Sequence, residues 1–188
     1  MNKKKIWYII PTALLPYLLL FALAVILFST KHTVFAFIMD YIFNSNAWNI
    51  VAVLLLYCLF AAALSIGCFV VSIRKGWEAL SLAKYAMLVK LFQIPAYALI
   101  FVIGLLLAIT LFTIPISVGL FLFNCICLLL TGLLTTAAVI NAVRQGIFKS
   151  QEVVWMIVLQ LVFCADVAAS IILYIKLRKI HKSAIANS

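Results

Sequence analysis

One acid inside a long apolar run is the residue of this sequence best placed to do chemistry. Asp166 lies midway along Val153–Ile175, flanked by Ala165, Val167, Ala168 and Ala169. A carboxylate at that depth in a bilayer costs about 2.5–3.5 kcal/mol on insertion scales. Isolated there, it favours its uncharged form and donates a hydrogen bond. No Lys, Arg or His falls inside the spans delimited below. Helical spacing puts Val162, Phe163, Ala169, Ser170 and Leu173 on its face, and Ala165 with Ala169 forms a small-xxx-small pair. Asp166 is therefore expected to face a neighbouring helix. Two roles fit such a residue: a proton or cation path (or a polar substrate contact), and an interhelical hydrogen bond that only fixes packing. Without a second ionisable group in the membrane, packing is the expectation.

A second polar stripe lies upstream. Ser117, Asn124, Thr131 and Ala138 recur at seven-residue steps, and Thr135 joins their side. Asn124, Thr131, Thr135, Ser170 and Asp166 together form the candidate intramembrane polar site. The stripe reads either as a cavity wall or as hydrogen-bonded helix packing, since Thr can bond back to its own helix.

Other chemistry is not suggested. His32 and His181 flank apolar runs, and neither belongs to a metal-ligand pattern. Asp40, Glu78, Glu152 and Asp166 lie in different segments, so no paired-carboxylate site is expected. Cys58, Cys68, Cys125, Cys127 and Cys164 all fall within spans. Cys125 and Cys127 point to different faces of a helix, so a shared metal is not expected. No cofactor, no metal site and no catalysis is expected.

Composition sets the class. Of 188 residues, 69% are apolar, and mean hydropathy is +1.31, against roughly 45–50% apolar in soluble domains. The fold class expected is all-α: a polytopic transmembrane bundle in a single membrane domain. The net charge of +10 clusters at the ends of apolar runs. There it meets lipid headgroups and sets topology, so the bilayer and not nucleic acid is the expected partner.

Five spans are expected, at about 7–28, 50–73, 95–112, 116–140 and 153–175. The first is too long for a signal-peptide core and reads as retained. Pro11 and Pro16 should loosen its first turns. Val34–Phe43 is too short to cross as a helix and should lie in the interface, with Asn44–Asn46 turning the chain and Trp48 anchoring the next span. Tyr57, Ala61, Ser65, Cys68 and Ser72 make a small, weakly polar packing face. Trp77–Gln93 carries Glu78, Lys84 and Lys90. The two lysines project about 120° apart, a poor amphipathic face; the stretch reads as a helix at the surface that bends into the third span near Pro95. Thr113–Pro115 should form a tight turn between spans three and four. Gly146 reads as a helix C-cap, Ser150 as an N-cap and Glu152 as a first-turn acid. So short a link should make spans four and five antiparallel neighbours, which could bring Asn124 or Thr131 to Asp166.

Positive residues orient the bundle. An inside N-terminus puts Lys3, Lys4, Lys5, Arg74, Lys75, Lys84, Lys90, Arg144 and Lys149 in the cytoplasm. Five crossings then leave Lys176, Arg178, Lys179 and Lys182 outside, against the same rule.

The segments Gly146–Glu152, Phe163–Val167 and Tyr174–Arg178 resemble small uncharacterised multi-span proteins of bacterial cytoplasmic membranes, over the final third of the chain only. That resemblance implies a bacterial cytoplasmic membrane and no activity. In size and hydrophobicity the chain is also similar to the substrate-binding membrane subunits of vitamin-importing energy-coupling transporters. Those have six spans, and Thr12–Ala24 lacks their small-residue docking pattern. The small-residue pairs Ala61/Ser65, Gly104/Ala108 and Ala165/Ala169 lead to a non-catalytic protein acting through helix association, as a homo-oligomer or an accessory subunit. The alternative is a small transporter or carrier subunit using Asp166 and the polar face of span four.

Overall fold

A computed structural model describes residues 8–30, 33–109, 113–148, 155–156, 158–159 and 165–186. Among these residues the fold is all-α, with six α-helices: α1 (Ile10–Phe28), α2 (Thr33–Phe37), α3 (Ala47–Arg74), α4 (Ala79–Ala108), α5 (Ile114–Arg144) and α6 (Ala165–Ala186). Four of them, α1, α3, α4 and α5, are long and apolar enough to cross a membrane. The chain is a multi-span membrane protein by these helices.

Helix α1 starts with Pro11 in its first turn, where no backbone donor is needed. Its buried side, Thr12, Leu15, Pro16, Leu19, Ala22 and Val25, repeats every three to four residues. Helix α2 passes into a π-helical turn, Ile38–Ile42, and is too short to cross, as expected. Phe35, Ile38, Met39 and Phe43 cover Ala22, Val25 and Ile50 at one end of α1 and α3. The chain then reverses at Asn44 and Ser45, both in the left-handed region at φ 54° and 57°. Asn46 caps α3 by accepting from the Trp48 amide at 2.9 Å. The packing face of α3 is the expected one, with Ala61, Ser65, Cys68 and Ser72 buried.

Helices α3 and α5 both end at a left-handed glycine. Gly76 (φ +56°) donates to the Ile73 carbonyl while Trp77 donates to Ser72. Gly146 (φ +70°) donates to Val143 while Ile147 donates to Ala142. Each is a Schellman closure that satisfies the last carbonyls of its helix.

Helix α4 corrects the expected surface helix and bend. It is continuous from Ala79 to Ala108 and passes through Pro95, which faces outward. Lys84 and Lys90 therefore lie on one spanning helix, Lys84 exposed and Lys90 buried. Helix α5 begins at Ile114 with Pro115 in its first turn and packs closely on α4; residues 110–112 of the expected turn lie outside the described residues.

Helix α6 revises the fifth span. It packs chiefly on α4 and more lightly on α5. Asp166 meets Lys90, while Leu173 and Leu177 join the core formed by Trp77, Ala79, Leu82 and Ala83 at the start of α4. Helix α6 thus runs antiparallel to α4. Its basic C-terminal turns lie at the same end of the bundle as Arg74, Lys75 and Arg144, where five full crossings would put them at the other. Trp7, Lys3–Lys5, Lys31, His32, Lys149, Ser150, Glu152, Val162, Phe163 and Cys164 lie outside the described residues.

Outward faces are apolar, for example Leu55, Leu56, Phe101, Leu105 and Phe121. The buried polar groups are gathered within. That distribution suits hydrocarbon around the bundle and hydrogen bonds inside it.

Candidate functional site: an intramembrane charge pair and its polar surround

The spacing of α4 places its polar side chains on one buried face. Ala83, Ala86, Lys90, Gln93, Ala96 and Ile100 follow one another at steps of three or four. On α6 the matching face is Asp166, Ala169, Ser170, Leu173 and Leu177. Where the two meet, Lys90 Nζ lies 2.9 Å from Asp166 Oδ2, with side chains 1% and 6% exposed. Lys90 Nζ also approaches the Asp166 carbonyl at 3.5 Å. The Ser170 hydroxyl donates to that carbonyl at 2.8 Å, and Thr135 Oγ1 lies 3.4 Å from Ser170 Oγ.

This overturns the expectation of an acid with no cation in the membrane. Each charge alone would carry a desolvation cost of several kcal/mol, and their attraction at hydrogen-bond distance offsets it. The sequence held only a weak signal: Lys84 and Lys90 project about 120° apart, which leaves room for one of them to point inward.

A second polar tier lies one to two turns along α4. Pro16 has no amide proton, so the Thr12 carbonyl loses its helical donor. Gln93 Nε2 supplies it across the helix interface at 2.7 Å. Tyr97 donates to Gln93 Oε1 at 3.1 Å. The Thr12 and Ser65 hydroxyls share a 2.6 Å hydrogen bond. Nearby, Tyr57 donates to the Pro11 carbonyl at 3.1 Å, and Tyr17 to the Phe92 carbonyl beside Pro95 at 2.5 Å. The proline gap on α1 is thus matched by a donor from a facing helix.

Of the residues expected at the site, Asp166, Ser170 and Thr135 are brought together. Thr131 is buried and donates to the Cys127 and Leu128 carbonyls of its own helix, both at 3.1 Å. Asn124 is not near Asp166. It borders a crevice between α4 and α5, and its Oδ1 is buried with no hydrogen-bond partner. Lys90, Gln93, Tyr97, Thr12 and Ser65 were missed as site residues. Gln93 was visible only as the end of a supposed surface helix.

Three voids adjoin these groups. One of about 20 Å³, the size of a single water, is bordered by Thr12, Ser65, Cys68 and Thr131. A cleft of about 330 Å³ is bordered by Ile94, Tyr97, Phe101, Leu128, Asp166 and Val167, and its walls are almost wholly apolar. The α4–α5 crevice measures about 190 Å³. Among the described residues no three His, Cys, Asp or Glu side chains converge as metal ligands. Cys58, Cys68, Cys125 and Cys127 are free thiols. No protein-family model, no curated protein and no solved structure matches the chain.

Proposed function

We propose that the protein works without catalysis, through helix–helix association in the bilayer, as a homo-oligomer or an accessory subunit of a membrane complex. The α4–α5 crevice carries this reading. Ala61 and Ser65 are buried inside the bundle, as is Ala169. Gly104 and Ala108 instead border an open crevice with Ser117 and Asn124. A Cβ on Gly104 would meet nothing closer than Ser117 Oγ at 3.8 Å, so the missing side chain is not required by packing within the chain. Asn124 lies ten residues into α5, about 15 Å along its axis, at a depth where lipid supplies no hydrogen-bond partner. A second helix bearing small residues can approach closely there and pair with the amide.

The test is energy transfer between two singly labelled populations of the protein in liposomes, diluted with lipid. Transfer should exceed random proximity and fall in Gly104→Leu, with thermal melting unchanged. Transfer no greater than random proximity would remove the homo-oligomer and leave the accessory subunit, to be sought by purification in mild detergent.

The carrier reading is favoured by one observation, the 330 Å³ cleft that reaches Asp166 and Tyr97. Proton or cation flux in liposomes that is lost in Lys90→Met/Asp166→Leu, the variant expected to keep the fold, would support it over association. The distribution of Arg74, Lys75 and Arg144 favours a cytoplasmic location for the basic end of the bundle, and the sequence resemblance favours a bacterial membrane.

A further inference from the structure

The last turns of α6 leave the bundle. Asp166 is level with Lys90, eleven residues into α4. Because α6 runs antiparallel, Leu177 comes level with the start of α4 and packs in the core that contains Ala79. Residues 178–186 remain helical and extend about 13 Å beyond that level. Arg178, Lys179, His181 and Lys182 are exposed on this extension, and it holds no acid. Arg74 and Lys75 are exposed at the same end of the bundle, and the nearby Glu78 carboxylate accepts from Ser81 at 2.6 Å.

We infer that this projecting basic end of α6 is a docking surface for anionic phospholipid headgroups. Charge complementarity selects that partner, and position narrows it to lipid. The outward residues Ile172 and Ile175 run along the same helix directly into the basic turns, so a helix side that suits hydrocarbon leads into the cations. With Leu177 at the hydrocarbon edge, an extension of about 13 Å ends within the headgroup layer or roughly one Debye length of it at physiological salt. Each Lys or Arg so placed is attracted by about 1 kcal/mol to an anionic leaflet. The contact gives α6 a second attachment, independent of the Lys90–Asp166 pair.

A spin label on Ser183→Cys in the full chain, in a variant with its other cysteines replaced, reads the contact. The protein is placed in nanodiscs of phosphatidylcholine alone or mixed with phosphatidylglycerol. At low salt the rotational correlation time should lengthen about twofold or more with phosphatidylglycerol, and return to the phosphatidylcholine value near 1 M salt, where the Debye length is about 3 Å. Arg178→Gln/Lys179→Gln/Lys182→Gln should abolish the lengthening while melting like the parent in phosphatidylcholine. Equal mobility in the two lipids at low salt would overturn the inference. So would lengthening that survives in the neutralised variant.

Discussion

Removing one partner of the Lys90–Asp166 pair strands the other charge in a site that excludes water. Lys90→Met and Asp166→Leu should each lower stability by about 3–5 kcal/mol, whereas the double variant Lys90→Met/Asp166→Leu should recover most of that loss. Unfolding in mixed micelles, arranged as a double-mutant cycle, measures the coupling; additive losses would mean that the pair does not act as a unit. Without Lys90, Asp166→Asn would be nearly neutral, because an amide keeps a donor and an acceptor; the lysine reverses that expectation. Gln93 offers a second test. Gln93→Leu should cost about 1–3 kcal/mol by orphaning the Thr12 carbonyl. Adding Pro16→Ala should restore part of it, because the new amide can reach that carbonyl within the helix. No recovery on adding Pro16→Ala would show that Gln93 acts through something other than the proline gap.

Element by element, α3 and α5 were the most legible in the sequence. Ala61, Ser65, Cys68 and Ser72 lie at helical spacing and are buried as that spacing implies. Gly146 closes its helix as read. Helix α4 was misread because Pro95 looked like a break. In a membrane bundle a helix can continue through a proline, and α4 runs unbroken from Ala79 to Ala108. Splitting α4 there turned Lys90 into a surface residue and hid the pair. Continuity has a direct consequence for labelling. Lys84→Cys should react with a membrane-impermeant maleimide, and Lys90→Cys, six residues further along the same helix, should not. Equal reactivity would restore the surface helix. The two glycine exits are equally testable: Gly76→Ala and Gly146→Ala should each cost about 1–2 kcal/mol in thermal unfolding, the penalty for a side chain in the left-handed region. Unchanged melting in both would rule out the two glycine closures.

At the scale of the whole molecule, charge and packing agree on one arrangement. Arg74, Lys75, Arg144 and the basic turns of α6 share an end, and the described charge at the other end is Asp40. The sequence was enough for a helical membrane bundle, because apolar runs of that length have no soluble alternative. It was not enough for the path of α6. The 153–175 run is long enough to cross, and only the partner of Asp166 reveals that α6 returns along α4. The site was half legible for the same reason. Asp166, Ser170 and Thr135 follow from helical spacing, whereas Lys90 and Gln93 depend on which helix faces which. The most direct test compares single cysteines at Lys75 and Lys182 in a cysteine-free background. In intact cells, impermeant reagent should fail to reach either, and after permeabilisation both should label. Labelling of position 182 but not position 75 from outside would contradict the antiparallel packing of α6 on α4, and with it the buried charge pair on which this structure turns.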